Sequence, residues 1–528
     1  MKRYDHIKYS LAVILLAMGC MTATAQESIT PAALELYKQR SLWRQSTNAA
    51  GSLLDNPWSY AQLEAGYKMT DGSFHRPQQG KEENNLSFYT EGGRTLSGFY
   101  AWGSFAYDRE TIHDANYNVS LADPYRNMPY YLVDINPSKW LNQHYNLNFR
   151  LTTLRLCDDR LILGMEGTYK TTSAAKQRDM RTMNRYMLFG LKPGIVYSTT
   201  PKYAYSSTHT FGLNFEYYML KEEGNMTSIN EDKQIYYIHR GLGVADYYYG
   251  NPNRTTNYMG NNVGGGVQYH YNGTCFELLA SANYSYKVED VENGYSEAKP
   301  LGTVRDHLWQ GRIMFQTKKH HITHHLDLKY TDRNIDGIEY LTEYNNEVDP
   351  PVWEKVFSSV RSQYKTQTAE AVYSLAVNRG QEYNWKFDAR ASYYKQDDEY
   401  KLPISVMQTE NMAFSLDAKK NFAFGNSMLL HRLLVTVGGS YNTNLSGKYE
   451  YNGPNAGYHT VSELFPQELA FLTSDFYHIG GSVTYSQRIS KNNEANMYAR
   501  ITYKYAKAID STDYDKRTSL SFSLGCNF

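Results

Sequence analysis

The chain has 528 residues, and its 54 Lys+Arg balance 54 Asp+Glu, so it lacks the basic footprint of a nucleic-acid-binding protein. It carries 50 Tyr, 20 Phe and 7 Trp at a mean hydropathy of -0.62. A chain that is aromatic and hydrophilic together argues against a large two-sided apolar core and for half-buried strands with aromatic edges.

At the N-terminus, Lys2, Arg3 and Lys8 precede the apolar run Leu11 to Met18, and Ala23-Thr24-Ala25 offers a small-x-small site before Gln26. This pattern predicts a secretory signal over residues 1–25, with Ala23 and Ala25 marking its cleavage. The competing reading, a lipoprotein signal ending at Cys20, lacks a leucine in Ala17-Met18-Gly19. Cleavage leaves Cys157, Cys275 and Cys526 with no CxxC pair, so neither a disulfide framework nor a metal site is expected. No later stretch approaches the ~20 apolar residues of a transmembrane helix. Residues 26–57 form a separate segment: Thr30-Pro31, then Ala32, Ala33, Leu34, Leu36, Tyr37 and Trp43, predict a short N-capped helix. Two placements are open, a partial plug in a lumen or a periplasmic tail against its rim. At roughly thirty residues the segment is too small for the folded plug of a TonB-dependent transporter.

From residue 58 to 528 the dominant period is two. Tyr145, Leu147, Phe149 and Leu151 begin it, followed by Leu161, Leu163, Met165 and Tyr169, and by Phe211, Leu213, Phe215 and Tyr217 against Thr210, Gly212, Asn214 and Glu216. Tyr383, Trp385, Phe387, Ala389, Ala391 and Tyr393 alternate with Asn384, Lys386, Asp388, Arg390 and Ser392. Met412, Phe414, Leu416 and Ala418 continue it, then Ala499, Ile501, Tyr503 and Tyr505 against Tyr498, Arg500, Thr502 and Lys504. Leu520, Phe522, Leu524, Cys526 and Phe528 end the chain as an alternating strand.

The connections alternate in length. Gly92-Gly93, Asp158-Asp159, Asn272-Gly273, Lys318-Lys319, Arg379-Gly380, Gly425-Asn426 and Asn492-Asn493 read as tight turns, whereas Glu110 to Gln143, Glu222 to Asn261, Arg333 to Arg361 and Lys448 to Phe471 read as long polar loops. Short turns on one side and long loops on the other predict an all-β, up-and-down antiparallel transmembrane barrel of roughly 16–18 strands, with periplasmic turns and extracellular loops. Closure is obligatory, because an open sheet in hydrocarbon leaves two edges of unpaired backbone groups.

Alternation then sorts side chains between lipid and lumen. Lys386, Asp388, Arg390, Asp417, Arg488, Arg500 and Lys504 are the candidate lumen-lining charges, joined by Arg150, Glu216, Asp327, Lys329, Glu370 and Lys419. Both signs occur, which suits polar, zwitterionic or sugar-like solutes if the lumen is open, and cross-lumen pairing if it is closed. His320, His321, His324 and His325 are the densest histidine group, but residues i and i+4 on a strand lie about 13 Å apart, too far to share one zinc. There is no G-x-S-x-G elbow, and no catalytic, cofactor or metal residue is assigned. Tyr236, Tyr237, Tyr247, Tyr248, Tyr249 and Tyr258 crowd one predicted loop, and Tyr130, Tyr131 and Trp140 another. Such rings either stack on a glycan or surface partner or pack the loops over the barrel mouth.

The last segment resembles the terminal signal of Gram-negative outer-membrane barrels, an alternating strand ending on an aromatic residue, here Phe528 with Leu524 and Phe522 behind it. The resemblance implies recognition by the barrel-assembly machinery. Leu42-Trp43, Asn48-Ala49-Ala50-Gly51, Ala65-Gly66-Tyr67 and Asp71 through Gly80 resemble an uncharacterised outer-membrane barrel family of Bacteroidota along most of the chain after the signal. That resemblance implies fold, location and source, and no catalytic residue. Asn48-Ala49-Ala50-Gly51 is also similar to the Asn-Pro-Ala-Gly element of fatty-acid transporter barrels, with Ala49 in the place of proline.

The sequence thus predicts a non-enzymatic barrel in a Gram-negative outer membrane, contacting membrane lipid. Its leading functional reading is a passive or gated channel for small polar solutes. The alternative is a closed barrel that anchors or partners a surface lipoprotein or secretion assembly, or that binds a glycan. A barrel lipase or protease is the third.

Overall fold

The computed structural model describes residues 29–528 except 200–206, 230–232, 251–252, 295–297, 319–320, 426–428, 491–492, 510 and 512–513. The expected signal segment, with Ala23 and Ala25, lies outside the described residues, as does His320.

A single antiparallel sheet of 18 strands closes on itself, each strand paired with its neighbours in sequence. The seam joins the first strand, Tyr60–Gly72, to the last, Lys516–Asn527, with Ala65 opposite Leu524 and Tyr67 opposite Phe522. Phe528 extends the seam, because its N–H donates to the Ala61 carbonyl and its own carbonyl accepts the Ala61 N–H. Every strand therefore has two neighbours over the central belt, which is the condition for a sheet to sit in hydrocarbon. The apolar half of each strand points outward. Phe211, Leu213 and Phe215 in one strand, Phe414 and Leu416 in another, and Phe522 and Leu524 in the last are all exposed on the outer surface, where lipid rather than water is their solvent.

Connections alternate in length: Arg379 and Glu382 pair across a two-residue turn at one end, while at the other the strands are far longer than the 9–11 residues needed to cross a bilayer. One expected turn is corrected: Gly92-Gly93 is paired inside the strand Glu82–Thr95, opposite Gly103 and Trp102, and the turn follows at residues 96–98. Ile322–Asn345 has 24 residues and Val352–Arg379 has 28. The segment read from sequence as the loop Arg333 to Arg361 is therefore mostly paired strand. Outside lipid a strand has no apolar face to maintain, so its polar residues hide it from a period-two search while its backbone still pairs. Trp140 is corrected for the same reason: it belongs to the strand Ser138–Thr153 and is buried, not a loop side chain.

Two features lie inside the barrel. At the short-turn end sits the segment containing the helix Pro31–Arg40, the single-turn helix Trp43–Gln45 and the two-turn helix Ala49–Asp55. At the long-loop end Tyr131–Asp134, Gln234–Gly241 and Val244–Gly250 form a separate three-stranded sheet. Beside it packs the helix Phe465–Leu472. The small sheet has no counterpart in the sequence reading.

A lumen closed at both ends

The N-terminal helix forms where Thr30 accepts the Ala33 N–H at 3.2 Å and Pro31 pre-sets the first turn, with Lys38 and Arg40 at its carboxyl end. Both its faces are used. Ala32 and Leu36 pack against Ala376, Tyr383 and Leu434 of the wall, and Ile29, Leu34 and Tyr37 pack against Tyr60. Further along, Leu42, Trp43 and Ala50 meet Ile162, Val196, Leu279 and Met314. The wall thus carries apolar side chains on its lumen side at the points where this segment packs.

Polar contacts fix the segment around most of the circumference. Glu35 accepts from Lys386 at 2.7 Å, Lys419 at 2.6 Å and Tyr383 at 2.7 Å. Burial alone would raise this carboxyl, but the two ammonium groups outweigh it and hold its pKa at about 2. Glu382 receives Thr30 at 2.7 Å as well as Arg432 at 2.8 Å. Arg44 and Lys38 both pair with Glu91. The carbonyls of this irregular backbone are met by wall side chains: Arg150 bonds those of Arg44 and Ser46, Thr152 that of Ala49, Arg312 that of Gln45 and Gln316 that of Arg40. An irregular segment can stay in a membrane-spanning lumen only if such groups are satisfied.

Asn48 is fully buried against the backbone of the wall. Its amide nitrogen lies 3.2 Å from the Ile195 carbonyl, 3.0 Å from the Leu213 carbonyl and 2.9 Å from Gln268, while its oxygen accepts the Ala50 N–H. The approach requires glycine in the wall: a Cβ on Gly194 would lie 2.1 Å from the Asn48 oxygen, and one on Gly164 2.2 Å from the Ala50 nitrogen.

The opposite mouth is filled by loops. Arg126 reaches in to pair with Glu222 at 2.9 Å and Glu289 at 2.7 Å, its guanidinium 4.9 Å from the ring of the buried Tyr258, while Tyr130 is buried nearby in the same cap. Tyr131, Leu132, Val133, Tyr236, Tyr237, Ile238 and Leu464 join them in one apolar cluster. Of the tyrosines considered for ligand stacking, Tyr130, Tyr131, Tyr236, Tyr237 and Tyr258 therefore pack the mouth, and only Tyr247 and Tyr249 are exposed. His239 holds the small sheet down, donating from Nδ1 to the Pro129 carbonyl at 2.8 Å and accepting the Gly243 N–H on Nε2 at 3.1 Å. Burial pushes its pKa down to about 4. Asp134 and Lys176 form a fully buried pair in the same cap.

Between plug and cap the barrel is hollow. One cavity of about 790 Å³ runs from Arg126 of the cap to Glu166, which pairs with the plug-binding Arg150, and is lined also by Lys170, Lys287, Asp306 and Arg333. Another of about 580 Å³ lies against Arg390, Asp417, His478, Thr502 and Lys504. The sequence-selected charges thus divide. Lys386 and Asp388 belong to the plug anchor, 3.4 Å apart, and Lys419 joins them. Arg390 pairs with Glu370 at 3.0 Å, and Arg500 lies 3.6 Å from Glu64. Asp417 and Lys504 line the second cavity with Arg390. Arg488 sits near the short-turn end, where its N–H donates to the Leu429 carbonyl. Tyr383 is corrected: a bulge beside Asn378 breaks the alternation and turns its ring from the expected lipid face to Glu35. Sequence reasoning did not single out Glu35 or Asn48 as anchors. Among the described residues no group of three or more His, Cys, Asp or Glu has metal-binding geometry.

A sequence profile described as "Family of unknown function (DUF6850)" matches residues 49–528. No curated protein matches the chain. Among solved structures, the chain is similar to BauA, the ferric preacinetobactin receptor from Acinetobacter baumannii, at 8% identity and a TM-score of 0.40, over 89% of this chain and 80% of that one. It is similar to the ferric-catecholate import receptor Fiu from E. coli K12 in its open form at 7% identity and 0.40, over 89% and 82%. The outer membrane receptor FauA from Bordetella pertussis follows at 8% and 0.39, over 89% and 76%. The fold assignment rests on the strand pairing and not on these likenesses.

Proposed function

The chain belongs to DUF6850, a family of unknown function, and from its lumen we propose that it is an outer-membrane barrel acting as a gated channel for small polar solutes. The observation that carries this is the hollow, charged interior enclosed between a short N-terminal plug and a folded loop cap. A barrel used only as an anchor has no need of an interior lined by Lys170, Lys287, Asp306 and Arg333 on one side and Arg390, Asp417 and Lys504 on the other. Opposed charges across an aqueous space orient dipolar solutes and admit zwitterions and sugars while rejecting apolar ones. The plug is a single small segment whose apolar packing and polar ties to the wall are separate from the strand pairing, so its release leaves the 18-strand sheet intact.

In this reading Arg390, Asp417, Arg488, Arg500 and Lys504 set selectivity along the lumen wall. Lys386 and Asp388 act first on the gate, through Glu35. Phe522, Leu524 and Phe528 serve assembly through the barrel machinery. The test is solute flux into liposomes carrying the refolded chain, with small sugars and zwitterionic peptides as probes. Swelling faster than empty liposomes supports a channel. A barrel as tight as bare lipid, also after Glu35→Gln, overturns it in favour of the anchor reading.

A further inference from the structure

The strand Val352–Arg379 outruns one of its neighbours. Its pairing with Glu382–Lys401 starts at Ser362 opposite Tyr400, whereas its pairing with Ile322–Asn345 continues to Val352 opposite Asn345. Residues 352–361 therefore present one backbone edge that no strand covers among the described residues. Five consecutive residues, Glu354 to Ser358, are exposed. The pairing with Ile322–Asn345 shifts register at Val356 and at Arg361, which are bulged and lack a partner across the pair; around the first bulge the exposure of Glu354 to Ser358 leaves both faces and the edge open together.

The edge is apolar. Val356 and Phe357 are 58% and 60% exposed, and Leu341, which lies opposite Phe357, is 65% exposed. Below it, in line with a strand added to this edge, the turn between Glu382–Lys401 and Ile404–Phe424 exposes Leu402 and Ile404. Lys355, which would guard such an edge against pairing, instead lies over the Tyr340 ring at 4.0 Å.

The charge on this hairpin is one-sided. Glu343 stands directly opposite Glu354, an arrangement that repels within the pair. Glu354 accepts a hydrogen bond from Asn345 at 2.7 Å, and Glu343 has no cation partner among the described residues. A cation carried by a strand on the free edge lies beside Glu354, one strand from Glu343, and offsets the repulsion.

We propose that residues 352–361 are a docking edge for an extended segment of a partner protein that pairs as an added strand, alternating apolar residues with at least one Lys or Arg set against Glu343 and Glu354. Main-chain hydrogen bonds to the free edge supply affinity, and the alternate side chains supply specificity.

The test uses the full chain refolded in detergent and a random twelve-residue peptide library displayed on phage, selected against the barrel and counter-selected against the double variant Val356→Lys with Phe357→Lys. Both positions are exposed, so heat-modifiable migration should stay unchanged in that variant. The expected result is enrichment of peptides alternating apolar residues with Lys or Arg. Synthetic versions should bind about tenfold more weakly to Glu343→Gln with Glu354→Gln, and not at all once their central residue is Pro. No enrichment over empty micelles, acidic consensus peptides, or binding unchanged by the central Pro overturns the proposal. Dimers of the barrel itself that the Lys variant dissociates would assign the edge to a second copy and overturn it equally.

Discussion

Replacing Glu35 with Gln isolates the electrostatic part of plug docking, because the amide keeps the side chain's shape and can still accept from Tyr383, whose hydroxyl lies 2.7 Å from the native carboxylate. The carboxyl falls from 4.5 to about 2 in the docked state, and each pKa unit is worth about 1.36 kcal/mol, which sets an upper value of about 3 kcal/mol. Asp388 lies 3.4 Å from Lys386 and 3.9 Å from Lys419 and recovers part of the loss, giving about 2–3 kcal/mol. The undocked plug should then be about 30- to 150-fold more populated. In planar bilayers this appears as more frequent open steps, and in trypsin digestion as faster cleavage after Lys38 and Arg40, with the barrel core still resistant. Acid should imitate the variant only below about pH 4.5. A carboxyl with a depressed docked pKa stabilises docking fully above its free value of 4.5 and loses that contribution only as pH falls towards about 2. Identical step frequency and identical trypsin cleavage in Glu35→Gln and wild type would refute the view that this ion cluster holds the gate.

Four further outcomes follow from the same geometry. Asn48→Asp faces a carboxylate towards the Ile195 and Leu213 carbonyls and the Gln268 oxygen, so it should release the plug at least as strongly as Glu35→Gln; an unchanged trypsin pattern would contradict the role given to Asn48. His239 has a folded pKa of about 4 against 6.5 when free, so the opened loop binds a proton first and the cap loses up to about 3 kcal/mol as pH falls from 6.5 towards 4. Protection factors over residues 234–250, taken against the intrinsic exchange rate at each pH, should fall across that window in wild type and not in His239→Gln. Arg390→Glu combined with Lys504→Glu should move the ion preference of the plug-released barrel towards cations, read as a shift in reversal potential. Phe528→Ala should lower the yield of heat-modifiable barrel in the membrane, and an unchanged yield would remove the assembly role from the last strand.

The barrel itself was legible because lipid enforces it. An outward face in hydrocarbon must be apolar at every second residue, so Phe211 to Tyr217 and Leu520 to Phe528 carry the pattern plainly, and 18 strands emerge close to the number that alternation predicts. Legibility fails where lipid stops acting. Beyond the belt the hairpin Ile322–Asn345 with Val352–Arg379 keeps pairing through backbone alone, and the loop sheet built on Tyr131–Asp134 joins segments about a hundred residues apart in sequence, which no local period can reveal.

The plug left a trace of a different kind. At the short-turn ends of several strands the alternation gives way to continuous apolar runs: Leu161-Ile162-Leu163, Ile195-Val196-Tyr197, Leu278-Leu279, Ile313-Met314-Phe315 and Leu433-Leu434. A strand with lipid on one side and water on the other has no reason to be apolar on both. A run of this sort reports a second dry neighbour, just as in sheets buried on both faces, and Ile162, Val196, Leu279, Met314 and Leu434 are the residues on which the N-terminal segment rests. The exceptions to period two therefore distinguish an inserted plug from a tail lying on the rim, because a rim contact would dry only the turn residues and leave the strand interiors polar. Polar substitution at these positions, for instance Ile162→Ser with Met314→Ser, should loosen the plug without disturbing the belt. The same change at the lipid-facing Leu163 and Ile313 should instead lower barrel yield and leave the gate closed.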